Sequence, residues 1–246
     1  MLSQGSETRH GSLSIAIHIL AAVELSPAVV MSIWAAGVAT VSGVVIWWRI
    51  VGPGFTWLAG GVTLLLGIPA ALGTGSAFAW VGCAMAVIAI GSARHPRYAA
   101  SIGAVAAIGF LVAADGNVVS IISGALFLGG VTAEMMLGHW YLVDPSLPRW
   151  ALRRLALAGA GGAVVDFVVL ASLGLFPWSA GDTAVGLGFM LLAVTTVVLM
   201  VAVGGALREE GYAGVMSATG LSYLALLTAI GTAVVGRMLL EGPVLS

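Results

Sequence analysis

Long runs of apolar residues, separated by short polar turns, constrain the fold of this chain more than any other feature of its sequence. A helix needs roughly 20 apolar residues to cross the hydrocarbon core of a bilayer. Inside lipid a helix satisfies its own backbone hydrogen bonds, so a run of this kind predicts a membrane-spanning helix. Such runs lie near residues 13–48, 56–75, 77–93, 98–116, 118–142, 151–175, 183–206 and 213–239. The sequence therefore predicts an all-α fold, a polytopic integral membrane helix bundle of about eight transmembrane helices with short loops, in a single transmembrane domain over residues 1–246.

The composition supports lipid as the surrounding medium. Hydrophobic residues make up 60% of the chain and charged residues only 8%, whereas soluble domains carry roughly 25% charged residues. The mean hydropathy is +1.12. A formal net charge of −1 argues against nucleic acid as a partner, because binding to phosphates requires a basic surface. Membrane lipid is the partner that the composition indicates.

The length of the first apolar run does not determine whether it forms one membrane segment or two. It covers residues 13–48, which is long for one helix and short for two, and Pro27 interrupts it. Two arrangements fit: one kinked and tilted helix, or a short interfacial or re-entrant piece followed by a full span from Pro27.

The basic residues predict the orientation of the bundle. All nine are arginines. If the first run crosses the membrane once, Arg9 and Arg237 lie on one side and the other seven lie together on the opposite side. Loops rich in arginine stay in the cytoplasm, so the sequence predicts a multi-pass protein of the bacterial plasma membrane with its arginine-rich loops cytoplasmic. Those seven residues are Arg49, Arg94, Arg97, Arg149, Arg153, Arg154 and Arg208.

Five of the ionisable residues within the apolar runs are candidates for function. Inserting one such residue into the membrane costs roughly 2.5–3.5 kcal/mol, so these residues are rare unless they have a function. Their positions along the spans indicate a graded series of depths from the outer to the inner side. They are His18, Glu24, Asp166, Glu134 and His139.

One interpretation of this series is a quinone or heme site. His139 with Tyr141, Glu134 and Met135 forms the densest group of suitable side chains. Imidazoles ligate heme iron, and imidazole, phenol and carboxyl groups exchange protons with quinones. Met135 lies on the same helical face as His139, while Glu134 is about 140° away and is expected to point to a different neighbour. Either His139 or His18 is a possible heme b ligand, and the two could share an iron only at equal depth.

A second interpretation is a proton path within a small-solute or ion transporter. Glu24, Asp166 and Glu134 would carry the protons. No arginine is expected near the middle of the membrane, so these acids are expected to lack a basic partner. Arg237 is instead expected to pair with Glu241 at the end of the last helix.

A third interpretation is a non-catalytic assembly or anchor subunit whose glycine-rich helices associate with partners. The cluster Arg149, Arg153 and Arg154 would bind anionic lipid or an acidic partner. Of the three, the sequence favours a membrane subunit of a respiratory or related electron-transfer complex, providing a quinone or heme environment and a proton path. Other membrane or peripheral redox subunits would be its partners.

Overall fold

The computed structural model describes residues 27–178 and 182–241, and these residues form helices joined by short turns. No strand occurs in either range, so the predicted all-α fold is confirmed. The helices are α1 (Pro27–Trp47), α2 (Pro53–Thr74), α3 (Ala77–Gly91), α4 (Pro96–Ala113), α5 (Val118–Val143), α6 (Arg149–Leu170), α7 (Thr183–Ala206) and α8 (Tyr212–Glu241), with a π-helical turn, Ala171–Leu175, after α6.

The helices have the length and apolarity of membrane spans. Seven of those described, all except α3, are long and apolar enough to cross a membrane. The remaining one, α3, is equally apolar but has 15 residues, a length of about 22 Å. The predicted multi-pass membrane architecture is therefore confirmed.

The first described helix starts at a proline. Pro27 is the first residue of α1, a position at which the missing N–H and the fixed φ of proline favour a helix. The full span from Pro27 that one of the two arrangements required is therefore present. The rest of the first apolar run, residues 13–26, lies outside the described residues, and so do the candidates His18 and Glu24.

The eight described helices form two four-helix bundles. In the first bundle α1 packs on α2 and α4, and α3 completes the ring; in the second, α5 packs on α6 and α8, and α7 completes it. The main contact between the bundles is that of α1 with α5. There the backbones of Gly37 and Gly129 touch, and the indole N–H of Trp34 donates to Thr132 Oγ1 at 2.8 Å.

Seven arginines lie at one end of the molecule, where the loops that join the helices contact one another. Arg149 on α6 donates to the carbonyl oxygens of Glu209 and Gly211, which precede α8, at 2.6 and 2.5 Å. The ring of Trp48, after α1, lies 5.0 Å from that of Trp150. Because consecutive helices run in opposite directions, the alternate loops and helix ends that carry the seven arginines share this end. We call it the basic end and the opposite one the far end.

Candidate functional site

Helix α5 carries most of the predicted quinone- or heme-binding residues, so its two ends determine how deep they lie in the bundle. Asn117 caps its start, because its Oδ1 accepts hydrogen bonds from the backbone N–H groups of Val119 and Ser120 at 2.9 and 3.3 Å. The helix ends at Val143, directly before Asp144 and Pro145. Between these limits α5 has 26 residues, so its side chains extend across the whole thickness of the bundle.

Glu134 is fully buried between α5 and α8, with a relative exposure of 0%. Its Oε2 forms a short hydrogen bond with the hydroxyl of Ser222 on α8, and its Oε1 has no partner among the described residues. Ser222 Oγ also lies 2.8 Å from the carbonyl oxygen of Ala218. A hydroxyl carries a single proton and can donate to only one of these two oxygens at a time. A proton on the Glu134 carboxyl would complete the second hydrogen bond.

His139 lies on the surface of the same helix pair, nearer the basic end. Its Nδ1 is 3.3 Å from the phenol oxygen of Tyr223 on α8, and both side chains are exposed. Either nitrogen of a neutral imidazole can carry the proton, so the phenol donates or accepts according to the tautomer. The site therefore combines an accessible imidazole–phenol pair with a buried carboxyl group, and the α8 partners of the two groups are adjacent residues. We call these four residues, Glu134, His139, Ser222 and Tyr223, the seam site.

Glu134 and His139 contact different residues, as the angle between them predicts, but both of these residues belong to α8. Ser222 and Tyr223 are consecutive on α8 and diverge by about 100°. Helix α8 consequently meets Glu134 on the buried side of the α5–α8 contact and His139 on the exposed side. Glu134 and His139 are about 140° apart around α5, but both reach α8, because α8 lies between the two directions in which their side chains point.

The other predicted members of the group, Tyr141 and Met135, contact the hydrophobic core. Tyr141 is 7% exposed and belongs to the hydrophobic core; two residues of helix turn it about 200° away from His139. Met135 is half-buried and packs against the same core. No group of three or more His, Cys, Asp or Glu side chains suited to a metal ion occurs in residues 27–178 and 182–241.

Asp166 forms a buried ion pair that the sequence interpretation missed. Its Oδ1 lies 2.9 Å from a guanidinium nitrogen of Arg237, its Oδ2 lies 3.2 Å from the other, and Ser123 Oγ donates to Oδ1 at 2.6 Å. The side chains of Asp166 and Arg237 are 1% and 6% exposed. The same guanidinium donates to the carbonyl oxygens of Ser120, at 2.7 Å, and Ala233, at 3.3 Å. The prediction that Asp166 lacks a basic partner is therefore wrong.

The helix ends explain this pairing. Asp166 lies four residues before the end of α6 at Leu170, and Arg237 lies four residues before the end of α8 at Glu241. Both helices end at the far end of the bundle, so the two side chains reach the same depth. Gly124 of α5 leaves room for the guanidinium, which occupies the place where a Cβ atom would stand. Matching residues by depth is the sequence signal that would have found the pair.

A stretch rich in alanine separates the ion pair from the seam site. Along α8, the fully buried Ala225, Ala229 and Ala233 lie between Ser222 and Arg237, together with the buried Thr232. A spacing of four residues places these alanines on one helical face. Along α5, the distance from Ser120 to Glu134 is about 21 Å. The proposed carriers Glu134 and Asp166 are therefore not neighbours within the bundle.

The predicted lipid- or partner-binding arginines make contacts within the chain. Arg149 bonds the loop before α8, as described above, and Arg153 donates to the carbonyl oxygen of Leu207 at 3.3 and 3.0 Å. The guanidinium of Arg154 lies 4.6 Å from the ring centre of Trp150. Two of the three thus connect α6 to the α7–α8 loop, and Arg154 extends along the exposed surface beside an indole.

No family model matches the sequence, and comparisons with curated proteins and with solved structures find no match either.

Proposed function

We propose that the chain is a membrane subunit of a respiratory or related electron-transfer complex and that its seam site binds a lipid-soluble quinone. The observation that carries this proposal is the exposed pair of His139 and Tyr223, with hydrogen-bonding atoms 3.3 Å apart, beside the buried carboxyl of Glu134. A quinone reaches such a site sideways from the bilayer, and its carbonyl oxygens accept hydrogen bonds from imidazole or phenol.

The seam site offers the proton chemistry that quinone reduction requires. Reduction to the quinol consumes two electrons and two protons, and positioned side chains deliver the protons. His139 and Tyr223 would orient the head group, and Glu134 would hold a proton on its buried carboxyl group. The electrons would come from a partner subunit that carries a heme or iron–sulfur centre. A heme b ligated by His139 or by His18 stays a prediction, since residue 18 lies outside the described residues.

We also propose the plasma membrane as the location and the cytoplasm as the compartment that the basic end faces. The support is the grouping of seven of the nine arginines at one end, because arginine-rich loops are retained on the cytoplasmic side. Quinone at the seam site would then exchange protons with the cytoplasm.

The quinone proposal is tested by photolabelling of the full chain in lipid nanodiscs. An azido-benzoquinone with an alkyl tail is expected to label peptides of α5 and α8 around His139 and Tyr223, and an unlabelled quinone is expected to compete. Replacing His139→Ala removes one hydrogen-bonding group and should weaken competition about tenfold, since that loss is worth about 1.4 kcal/mol. The measurement is the quinone concentration that halves the labelling.

His95→Ala is the matched control. His95 is also near a tyrosine, with its ring 6.1 Å from that of Tyr98, but it lies in the loop before α4, outside the seam site. The control should leave labelling unchanged. Equal competition in the wild type and in His139→Ala, or labelling spread evenly over α1 to α8, would contradict the proposal.

The second candidate function is a small-solute or ion transporter. A specific observation favours it: Glu134 and the Asp166–Arg237 pair are buried ionisable groups at different depths of the same bundle. Uptake into vesicles by the chain alone, abolished by Glu134→Gln, would favour this candidate over the quinone site. The non-catalytic anchor subunit stays a third prediction.

A further inference from the structure

A cavity opens at the far end of the bundle, away from the seam site. Its volume is ≈ 310 Å³, at the lower end of the range for sites that bind small organic molecules. Its polar lining includes Asp115 in the α4–α5 loop and Arg237 on α8. Its aliphatic lining comes from three helices and the π-helical turn and includes Ile33, Ile121, Leu173 and Leu240.

The charge of Arg237 is compensated within the bundle. Four of the five N–H groups of its guanidinium are engaged, two with Asp166 and one each with the carbonyl oxygens of Ser120 and Ala233. Its Nε has no partner among the described residues, but it is buried. A ligand carboxylate would therefore have to displace Asp166 from its charged hydrogen bonds before it could bind to Arg237.

Asp115 leaves the cavity with an uncompensated negative charge. Its side chain is exposed, and no hydrogen bond or ion pair is found for it within residues 27–178 and 182–241. Once Arg237 and Asp166 are counted together as neutral, Asp115 contributes the only formal charge among the described residues that line the cavity. The electrostatic preference of the cavity is therefore for a cation.

We propose that this cavity binds a small amphipathic organic cation, of which a primary alkylammonium ion is the simplest form. The ammonium group would donate to the carboxylate of Asp115 at the mouth, and the alkyl chain would pack against the aliphatic walls. A hydrated inorganic cation would gain nothing from these walls, whereas an alkyl chain gains about 25 cal/mol per Å² of apolar surface that it buries there. The inference is independent of the quinone proposal.

The test compares three ligands of equal chain length: hexylammonium, hexanoate and hexanol. Binding to the full chain in nanodiscs of zwitterionic lipid is measured by calorimetry, with empty nanodiscs subtracted to remove partitioning into lipid. Hexylammonium is expected to bind more tightly than the other two. Asp115→Asn should weaken its binding by at least about fivefold, the value of a 1 kcal/mol charge interaction.

Two further variants make the result specific to the cavity. Glu210→Gln removes another exposed acid, which lies at the basic end, and should leave hexylammonium binding unchanged. Leu240→Trp enlarges a side chain of the cavity wall and should weaken it, with quinone labelling at the seam site preserved. Tighter binding of hexanoate, or hexylammonium binding that survives both Asp115→Asn and Leu240→Trp, would overturn the proposal.

Discussion

Asp166 and Arg237 each lose hydration when they are buried, and their mutual attraction only partly repays that cost. Their hydrogen bonds with Ser123 and with two backbone carbonyl groups compensate most of the remaining polar atoms. Removing one partner would leave the other charge buried without compensation. Removing both would leave an apolar contact between α6 and α8. The two kinds of replacement should therefore have very different effects on stability.

Asp166→Leu is expected to lower the free energy of unfolding by about 3–5 kcal/mol, because it leaves Arg237 charged and unpaired inside the bundle. The double variant Asp166→Leu with Arg237→Met should recover most of this loss, since both replacements are apolar and similar in size. The measurement is the temperature at which half of the detergent-solubilised protein aggregates. A double variant as unstable as the single one would show that the charge pair itself is not the source of the loss.

Helices α1 and α5 hold the two bundles together through a close approach of their backbones. A Cβ atom added at Gly37 would overlap the carbonyl oxygen of Ala125, and one added at Gly129 would overlap the backbone of Gly37. Small residues allow this contact, and in lipid, close packing and interhelical hydrogen bonds replace the hydrophobic effect as the force between helices. The hydrogen bond from Trp34 to Thr132 fixes the register beside it.

Gly37→Ala is expected to push α1 and α5 apart and to destabilise the chain by about 1–3 kcal/mol, the usual cost of overpacking. Gly61→Ala is the matched control, since a Cβ atom at Gly61 on α2 meets nothing within 4 Å. Alanine favours a helix over glycine by about 0.5–1 kcal/mol, so the control should be neutral or slightly stabilising. The same aggregation temperature measures both, and equal effects of the two variants would refute this explanation of the contact.

Run length predicts the helices well, because the thickness of a bilayer fixes how many apolar residues a span needs. The run 183–206 shows this, since it coincides with α7 (Thr183–Ala206). The rotation of each helix about its axis is not determined by run length. It follows from packing between small residues, so a sequence this rich in glycine and alanine does not reveal that Ser222 and Tyr223 face α5. For the pair of Asp166 and Arg237, 71 residues apart, the sequence indicates the matching depth, but whether the two side chains face each other depends on the same packing.

Both bundles begin at the far end and return to it in the same order. Helices α1 and α5 each start there, and α4 and α8 each run from the basic end to the far end. The two bundles thus share one orientation, and a single assignment of sides applies to both. Asp115 lies in a loop at the far end and Glu210 lies in a loop at the basic end, so the two residues mark opposite ends of the molecule.

Cysteine labelling tests the proposed orientation. Cys83 is the only cysteine of the chain, and it is buried, so Cys83→Ala provides a background without a competing thiol. In that background Asp115→Cys should react with a membrane-impermeant maleimide in intact cells, and Glu210→Cys should react only after the cells are opened. Both positions carry exposed acids, so the two replacements are matched. The reverse pattern would place the basic end outside.

The distance between Glu134 and the Asp166–Arg237 pair limits how strongly their charges interact. Two unit charges about 21 Å apart interact by about 0.8 kcal/mol at an effective dielectric constant of about 20, which is less than a tenfold change in any equilibrium. A proton arriving at Glu134 would therefore shift an equilibrium at either charge alone by about fourfold. Because Asp166 and Arg237 carry opposite charges, its interactions with the two largely cancel, so the pair as a whole is nearly insensitive to the protonation of Glu134.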